Sequence, residues 1–221
     1  MKRICTTVMA LALLAACGGS GGGGTATTAA TKACAEAAID ATISAGGEAI
    51  IEALNPSGGA QVVKDTRPIN STANCIEGDT TGGTYTATGT VTFTCTGTGT
   101  MTCTITDGPV SVLFTNCKKT VTIDSTTYDE VLNGTATTNV TGTVSGSEAG
   151  VTAIDAGGTM AGTVELTGTA EGSVDLSAVT WTATGVPDPD PTIACAGTAV
   201  VTIPGGSQDC SVASDCKGCS N

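Results

Sequence analysis

The chain has 221 residues, a formal charge of −12, 44 threonines, 31 glycines and no histidine. Without histidine there is no Ser-His-Asp or Cys-His catalysis, no His-ligated zinc and no usual general base at neutral pH. The acidity opposes binding to nucleic acid or anionic lipid surfaces, and with only Tyr85, Phe93, Phe114, Tyr128 and Trp181 as aromatics, Val, Ile, Leu and Ala must fill the core.

Residues 1–16 read as a leader. Lys2 and Arg3 supply a positive start, and Val8 to Ala16 form an apolar run too short to span a bilayer as a helix. The run ends in Leu14-Ala15-Ala16-Cys17, which resembles the lipobox of bacterial lipoproteins at all four positions. That resemblance covers this segment alone. It implies cleavage before Cys17, a diacylglyceryl group on its sulfur and an acylated amine; several acyl chains hold a protein at a membrane where one binds marginally. Gly18 follows the cysteine, and in the family's sorting rule a residue other than Asp there implies the outer membrane. The competing reading is an ordinary secretion signal with a chance cysteine.

Loss of the leader removes Lys2 and Arg3, so six basic residues face twenty acidic ones and the net becomes −14. Such a domain is repelled from an anionic surface and does not lie flat on it. Residues 17–30 form the lipidated cysteine and a Gly/Ser/Thr tether with no helical or strand pattern, reaching on the order of 20 Å. Residues 31–56 are Ala-rich and predict a short helical segment. Ile39, Ile43, Ile50 and Leu54 fall on one stripe of a 3.6-residue period, with Glu36, Asp40, Glu48 and Glu52 on the other face. Gly46-Gly47 is expected to interrupt it, and Asn55-Pro56-Ser57-Gly58-Gly59 to end it. With almost no basic residue on its polar side, the helix reads as packing on the following sheet and not as a membrane helix.

Residues 60–203 read as an antiparallel β-domain. From Thr84 to Thr106 every even-numbered residue is Thr, with Tyr85, Ala87, Val91, Phe93, Cys95, Met101, Cys103 and Ile105 among the odd positions. Period two puts the hydroxyls on one face and the apolar set on the other. Unbroken, this strand would be roughly 75 Å long, so a turn near Gly97-Thr98-Gly99 is expected. A two-residue loop would throw the second run's threonines onto the wrong face. An odd loop keeps them together, and one centred on Gly99 sets Phe93 opposite Ile105 and Cys95 opposite Cys103, close enough for a disulfide.

Further strands are expected at Val110–Thr115, Thr120–Asp124, Val131–Val144, Val151–Asp155, Thr159–Gly168, Ser173–Thr184 and Thr192–Ile203. Pro187-Asp188-Pro189-Asp190-Pro191 is a stiff acidic connector. Asp188 and Asp190 lack the pattern of a calcium loop. The fold class is mainly β: an antiparallel meander forming an open or curled sheet, with the one helical segment over part of a face. This Thr- and Gly-rich style resembles uncharacterised bacterial lipoproteins, a likeness that implies no activity.

Beyond Cys5 and Cys17 there are nine cysteines, expected to form mostly disulfides in an oxidising envelope. Nine is odd, so at least one thiol stays free or pairs between chains. Residues 204–221 are a cysteine-containing tail with Cys210, Cys216 and Cys219. Structural disulfides are the main expectation for them. A CxxC at the chain end is not at a helix start in a βαβ unit, as a redox motif would be, and no histidine or clear fourth ligand completes a zinc site. No catalytic, cofactor-binding or metal-binding residue stands out.

The leading expectation is a lipid-anchored outer-membrane protein, non-catalytic, structural or interacting, that presents a Thr-rich sheet. Its membrane contact is the anchor, nucleic acid is not a partner, and another envelope protein or an apolar ligand is. The alternative is a carrier whose curled sheet holds an apolar ligand, which needs the odd-numbered face uncovered. A third is an ice-binding face: Thr94-Cys95-Thr96 and Thr102-Cys103-Thr104 locally resemble the arrays of insect antifreeze proteins, without that family's regular repeat.

Overall fold

The computed structural model describes residues 28–54, 62–77, 80–147, 150–169, 171–186 and 191–220. The leader, Cys17, the Gly-rich tether, the Asn55–Gly59 stop, Asp188 and Asp190 lie outside the described residues.

Helix α1 (Ala29–Leu54) comes first. Thr28 caps it, its Oγ1 accepting from the Thr31 amide at 3.2 Å. All four residues of the predicted stripe are buried: Ile39, Ile43, Ile50 and Leu54. The burial is wider than one stripe, however, because Ala33, Cys34, Ala35, Ala37 and Ala38 are buried as well. Alanine makes a thin helix, which allows close contact nearly all round. The expected interruption at Gly46-Gly47 does not occur, since the helix runs through both. A Cβ on Gly46 would lie 2.7 Å from Thr138 Cγ2, so this glycine lets the helix press against the sheet. Packing there overrides glycine's poor helix propensity.

The remainder is strand: β1 (Val62–Glu77), β2 (Thr80–Thr96), β3 (Met101–Asp107), β4 (Pro109–Ile123), β5 (Thr126–Ser147), β6 (Gly150–Gly168), β7 (Gly172–Gly185), β8 (Thr192–Ile203) and β9 (Gly206–Ser211). All pairings are antiparallel, and they follow chain order as in a meander except that β2 also pairs β4 and β3 pairs β5. β3 and β4 lie end to end in one row between β2 and β5. Gly108 joins them as an extra residue, and the inward positions change from odd (Ile105) to even (Val110) across it.

Several expected boundaries are corrected. Val110–Thr115 and Thr120–Ile123 belong to the single strand β4, which continues through a register shift between Phe114 and Cys117, and Asp124 falls in the turn that follows. Val151–Asp155 and Thr159–Gly168 are likewise one strand, β6. The tail is not separate from the sheet, because Gly206–Ser211 pairs with β8 as β9. Length alone does not force the break after Thr96, because β5 reaches 22 residues, nearly the whole length of the Thr84–Thr106 run. Glycines on its inner face permit this. Gly134 and Gly142 have φ of +106° and +131° and sit opposite Phe114 and Ile105. Each lets the strand bend inward where a side chain would obstruct it.

One face of the sheet is apolar and wraps α1, which packs against β1, β2, β4, β5, β7, β8 and β9. A single sheet can touch one helix with so many strands only by curling round it. β1 and β9 are the ends of the strand order and do not pair with each other among the described residues, so the sheet is curled and open. Phe93, Phe114, Ile105, Leu132, Met160, Leu166 and Leu176 are among the largest fully buried side chains. Each such burial is worth roughly 1.5–3 kcal/mol. Trp181, also on the inner face, donates from Nε1 to Oγ1 of buried Thr138 at 3.0 Å, which gives the buried indole N–H and this hydroxyl a partner.

Candidate functional site

The described cysteines are placed by the meander. Cys95 and Cys103 are directly opposed in the β2–β3 hairpin and disulfide-bonded; Thr94 pairs Thr104 and Phe93 pairs Ile105 in the same register. Cys75 bonds Cys117 across β1 and β4. In the tail the two members of the CxxC do not bond each other: Cys216 joins Cys195 on β8, and Cys219 joins Cys210 on β9. Cys34 is buried on α1 and takes part in none of these four bonds. Two disulfides therefore fold the tail back over the start of the helix, where Gly218 (φ +69°) approaches the Lys32 carbonyl too closely to admit a side chain.

That junction carries charge. Lys119 Nζ lies 2.6 Å from Asp40 Oδ2. Beside them, Glu36 has its carboxyl pushed up to about 7, first by burial and then by Asp40 and Asp215, against the lowering effect of Lys217 and Lys119. No group of three metal-ligating side chains occurs among the described residues.

The opposite, convex face holds the hydroxyls. Cross-strand pairs Thr66–Thr92 and Thr72–Thr86 hydrogen-bond at 3.1 Å, and Thr102–Ser145 at 2.9 Å. On β5, β6 and β7 the outward residues form a lattice. Asn139, Thr159 and Thr180 make one row, Thr141, Gly157 and Thr182 the next, and Thr143, Asp155 and Thr184 a third. Neighbouring members of a row are about 4.8 Å apart. Gly157 is the centre and has no side chain, because a Cβ there would meet the Trp181 carbonyl oxygen at 2.6 Å.

The surface over Gly157, ringed by this lattice, is open, and it continues past Asn139 and Thr159 to Thr88, Thr90 and Ser111 with no Lys or Arg along it. The Asp155 side chain is exposed and makes no hydrogen bond or ion pair among the described residues. Sequence alternation indicates the hydroxyl face. The lattice needs the β5–β6–β7 register, which depends on bulges and turns that alternation does not report.

No family model, curated protein or solved structure matches the chain.

Proposed function

We propose that this chain is a lipid-anchored protein of the bacterial outer membrane, held through Cys17, with a non-catalytic structural or interaction role performed by its convex, Thr-rich face. The observation that carries the interaction role is the division of the sheet into two faces. Its apolar face is occupied by α1, so the hydroxyl face is the broad surface left for contact. A carrier of an apolar ligand needs an open concave face, and the buried alanines of α1 take that space. An ice-binding surface needs a flat, regular array, and a sheet curled round a helix works against flatness.

The anchor is supported by Leu14-Ala15-Ala16-Cys17 behind a short apolar run. Its test is expression of the full chain and of Cys17→Ser in a bacterial host, with detergent phase partitioning and intact mass. The full chain should appear processed, acylated and in the detergent phase, and Cys17→Ser should be released or remain uncut. A Cys17→Ser protein that is still processed and detergent-phase would overturn the anchor.

A further inference from the structure

We propose that the cysteine-containing tail is a thiol–disulfide exchange site: one dithiol reductant opens both tail bonds, because the CxxC closes on itself as it leaves β8 and β9. This goes beyond the interaction reading above and does not depend on it.

The four disulfides fall into two kinds. Cys75–Cys117 and Cys95–Cys103 join strand to strand, with each cysteine inside a paired strand. Cys195–Cys216 and Cys210–Cys219 join a strand to the turn-rich segment after β9. Among the described residues, backbone hydrogen bonds hold this segment to β8 at two points. The Cys195 amide donates to the Ser214 carbonyl at 3.1 Å, and the Val212 amide to the Gly197 carbonyl at 3.0 Å. Val212 is the segment's one buried hydrophobic side chain besides the two cysteines. The disulfides are therefore its main hold.

Cys216 is where an attacking thiol meets least resistance. It is 8% exposed, against 0% to 6% for the other seven bonded cysteines. Its backbone has φ of +63°, which no other bonded cysteine shares. That left-handed conformation is unfavourable for a residue with a Cβ and recurs where segments switch. Breaking the bond to Cys195 releases the constraint.

The chemistry balances with one reductant. A thiolate of the dithiol attacks Cys216 Sγ, a mixed disulfide forms, and the Cys195 thiolate leaves and takes up a proton. The reductant's second thiol displaces Cys216, and the reductant departs as a disulfide. The Cys216 thiolate then turns on Cys219 Sγ, only Lys217 and Gly218 intervening, and expels Cys210, which is protonated in turn. A Cys216–Cys219 bond replaces Cys210–Cys219 with no further oxidant or reductant. Two disulfides have become one, two thiols have formed, and one dithiol has been oxidised.

Exchange changes what the protein presents. The Cys195 amide and the Gly197 carbonyl of β8 lose their partners in the tail. The start of α1 is uncovered as well, where Gly218 packs on the Lys32 carbonyl. The oxidised tail keeps this end of the sheet closed, and the reduced tail opens it.

The test exposes the oxidised, purified full chain to dithiothreitol raised in steps, with rapid alkylation by N-ethylmaleimide and peptide mapping. In the first reduced species, label gained over the untreated protein should fall on Cys195 and Cys210. Cys216 should be linked to Cys219, and both sheet disulfides should be intact. Hydrogen exchange at the Cys195 and Val212 amides should become faster by about tenfold or more. In the double variant Cys210→Ser, Cys219→Ser, the label should fall instead on Cys195 and Cys216. Label on Cys195 and Cys216 in the unsubstituted chain, with Cys210–Cys219 intact, would overturn the exchange. Earlier opening of a sheet disulfide would overturn the proposal, as would tail bonds that open only when the whole chain unfolds.

Discussion

Arg67 of β1 reaches the C-terminal turn of α1, where its Nη1 donates to the Ala53 carbonyl at 3.1 Å. The last turn of the helix contains no basic residue of its own, so the strand supplies the cation that the carbonyl end favours. The same guanidinium lies 5.1 Å from the centre of the Phe93 ring and bonds Asp65 Oδ2 through Nε at 2.9 Å. Asp65 responds with a carboxyl held below its ordinary value, chiefly by that hydrogen bond. Arg67→Ala should cost about 1–2 kcal/mol in urea unfolding. Arg67→Lys should recover less than half, since an ammonium cannot serve the ring, the carbonyl and the carboxylate together. Full recovery by lysine would reject this account.

The paired glycines of α1 should respond oppositely to alanine. Gly47 has nothing within 4 Å of a would-be Cβ, so Gly47→Ala should stabilise by about 0.5–1 kcal/mol through helix propensity. At Gly46 the added methyl would push on Thr138, which in turn holds the Trp181 indole. Gly46→Ala should destabilise by about 1–3 kcal/mol and shift the emission of the single tryptophan. Thermal melts of the two variants measured side by side, with fluorescence, decide this; equal effects would refute it.

Loop length orders two of the disulfides. Cys75–Cys117 spans 42 positions and Cys95–Cys103 only 8. The larger loop restricts the unfolded chain more, by about 1.5 kcal/mol on the chain-entropy model. Replacing Cys75 and Cys117 together by serine should therefore lower the melting temperature more than replacing Cys95 and Cys103. The smaller bridge mainly holds hairpin register, and a peptide map of the oxidised protein should recover both links intact.

Glu36 sets a pH dependence. Its carboxyl binds a proton more tightly in the folded protein, at about 7 against an ordinary 4.5, so its effect on stability is unfavourable above the lower value and grows until pH passes the upper one. This group makes the protein more stable at pH 5 than at pH 8. After allowance for partial solvent exposure the effect is about 1 kcal/mol. Glu36→Gln should raise the melting temperature at pH 8 and change it little at pH 5. A gain of equal size at both values would exclude a titrating Glu36 as the cause.

The sequence by itself determined the β class, the two faces and one hairpin in detail, because alternation of side chains is a local property. Threonine at every even position from Thr84 to Thr106 dictates which face each residue takes, and an odd loop centred on Gly99 then sets Cys95 opposite Cys103. The stripe of Ile39, Ile43, Ile50 and Leu54 is local in the same way. Which strands become neighbours is not local. The bonds from Cys75 to Cys117 and from the CxxC cysteines to Cys195 and Cys210 depend on that ordering, and only the tertiary structure decided them. Tertiary packing also kept α1 continuous through Gly46-Gly47, since contact with Thr138 from a distant strand outweighs the propensity of two glycines. The same holds for the lattice round Gly157: its rows come from three strands whose registers are set by bulges, and a bulge of one residue moves every later side chain to the other face.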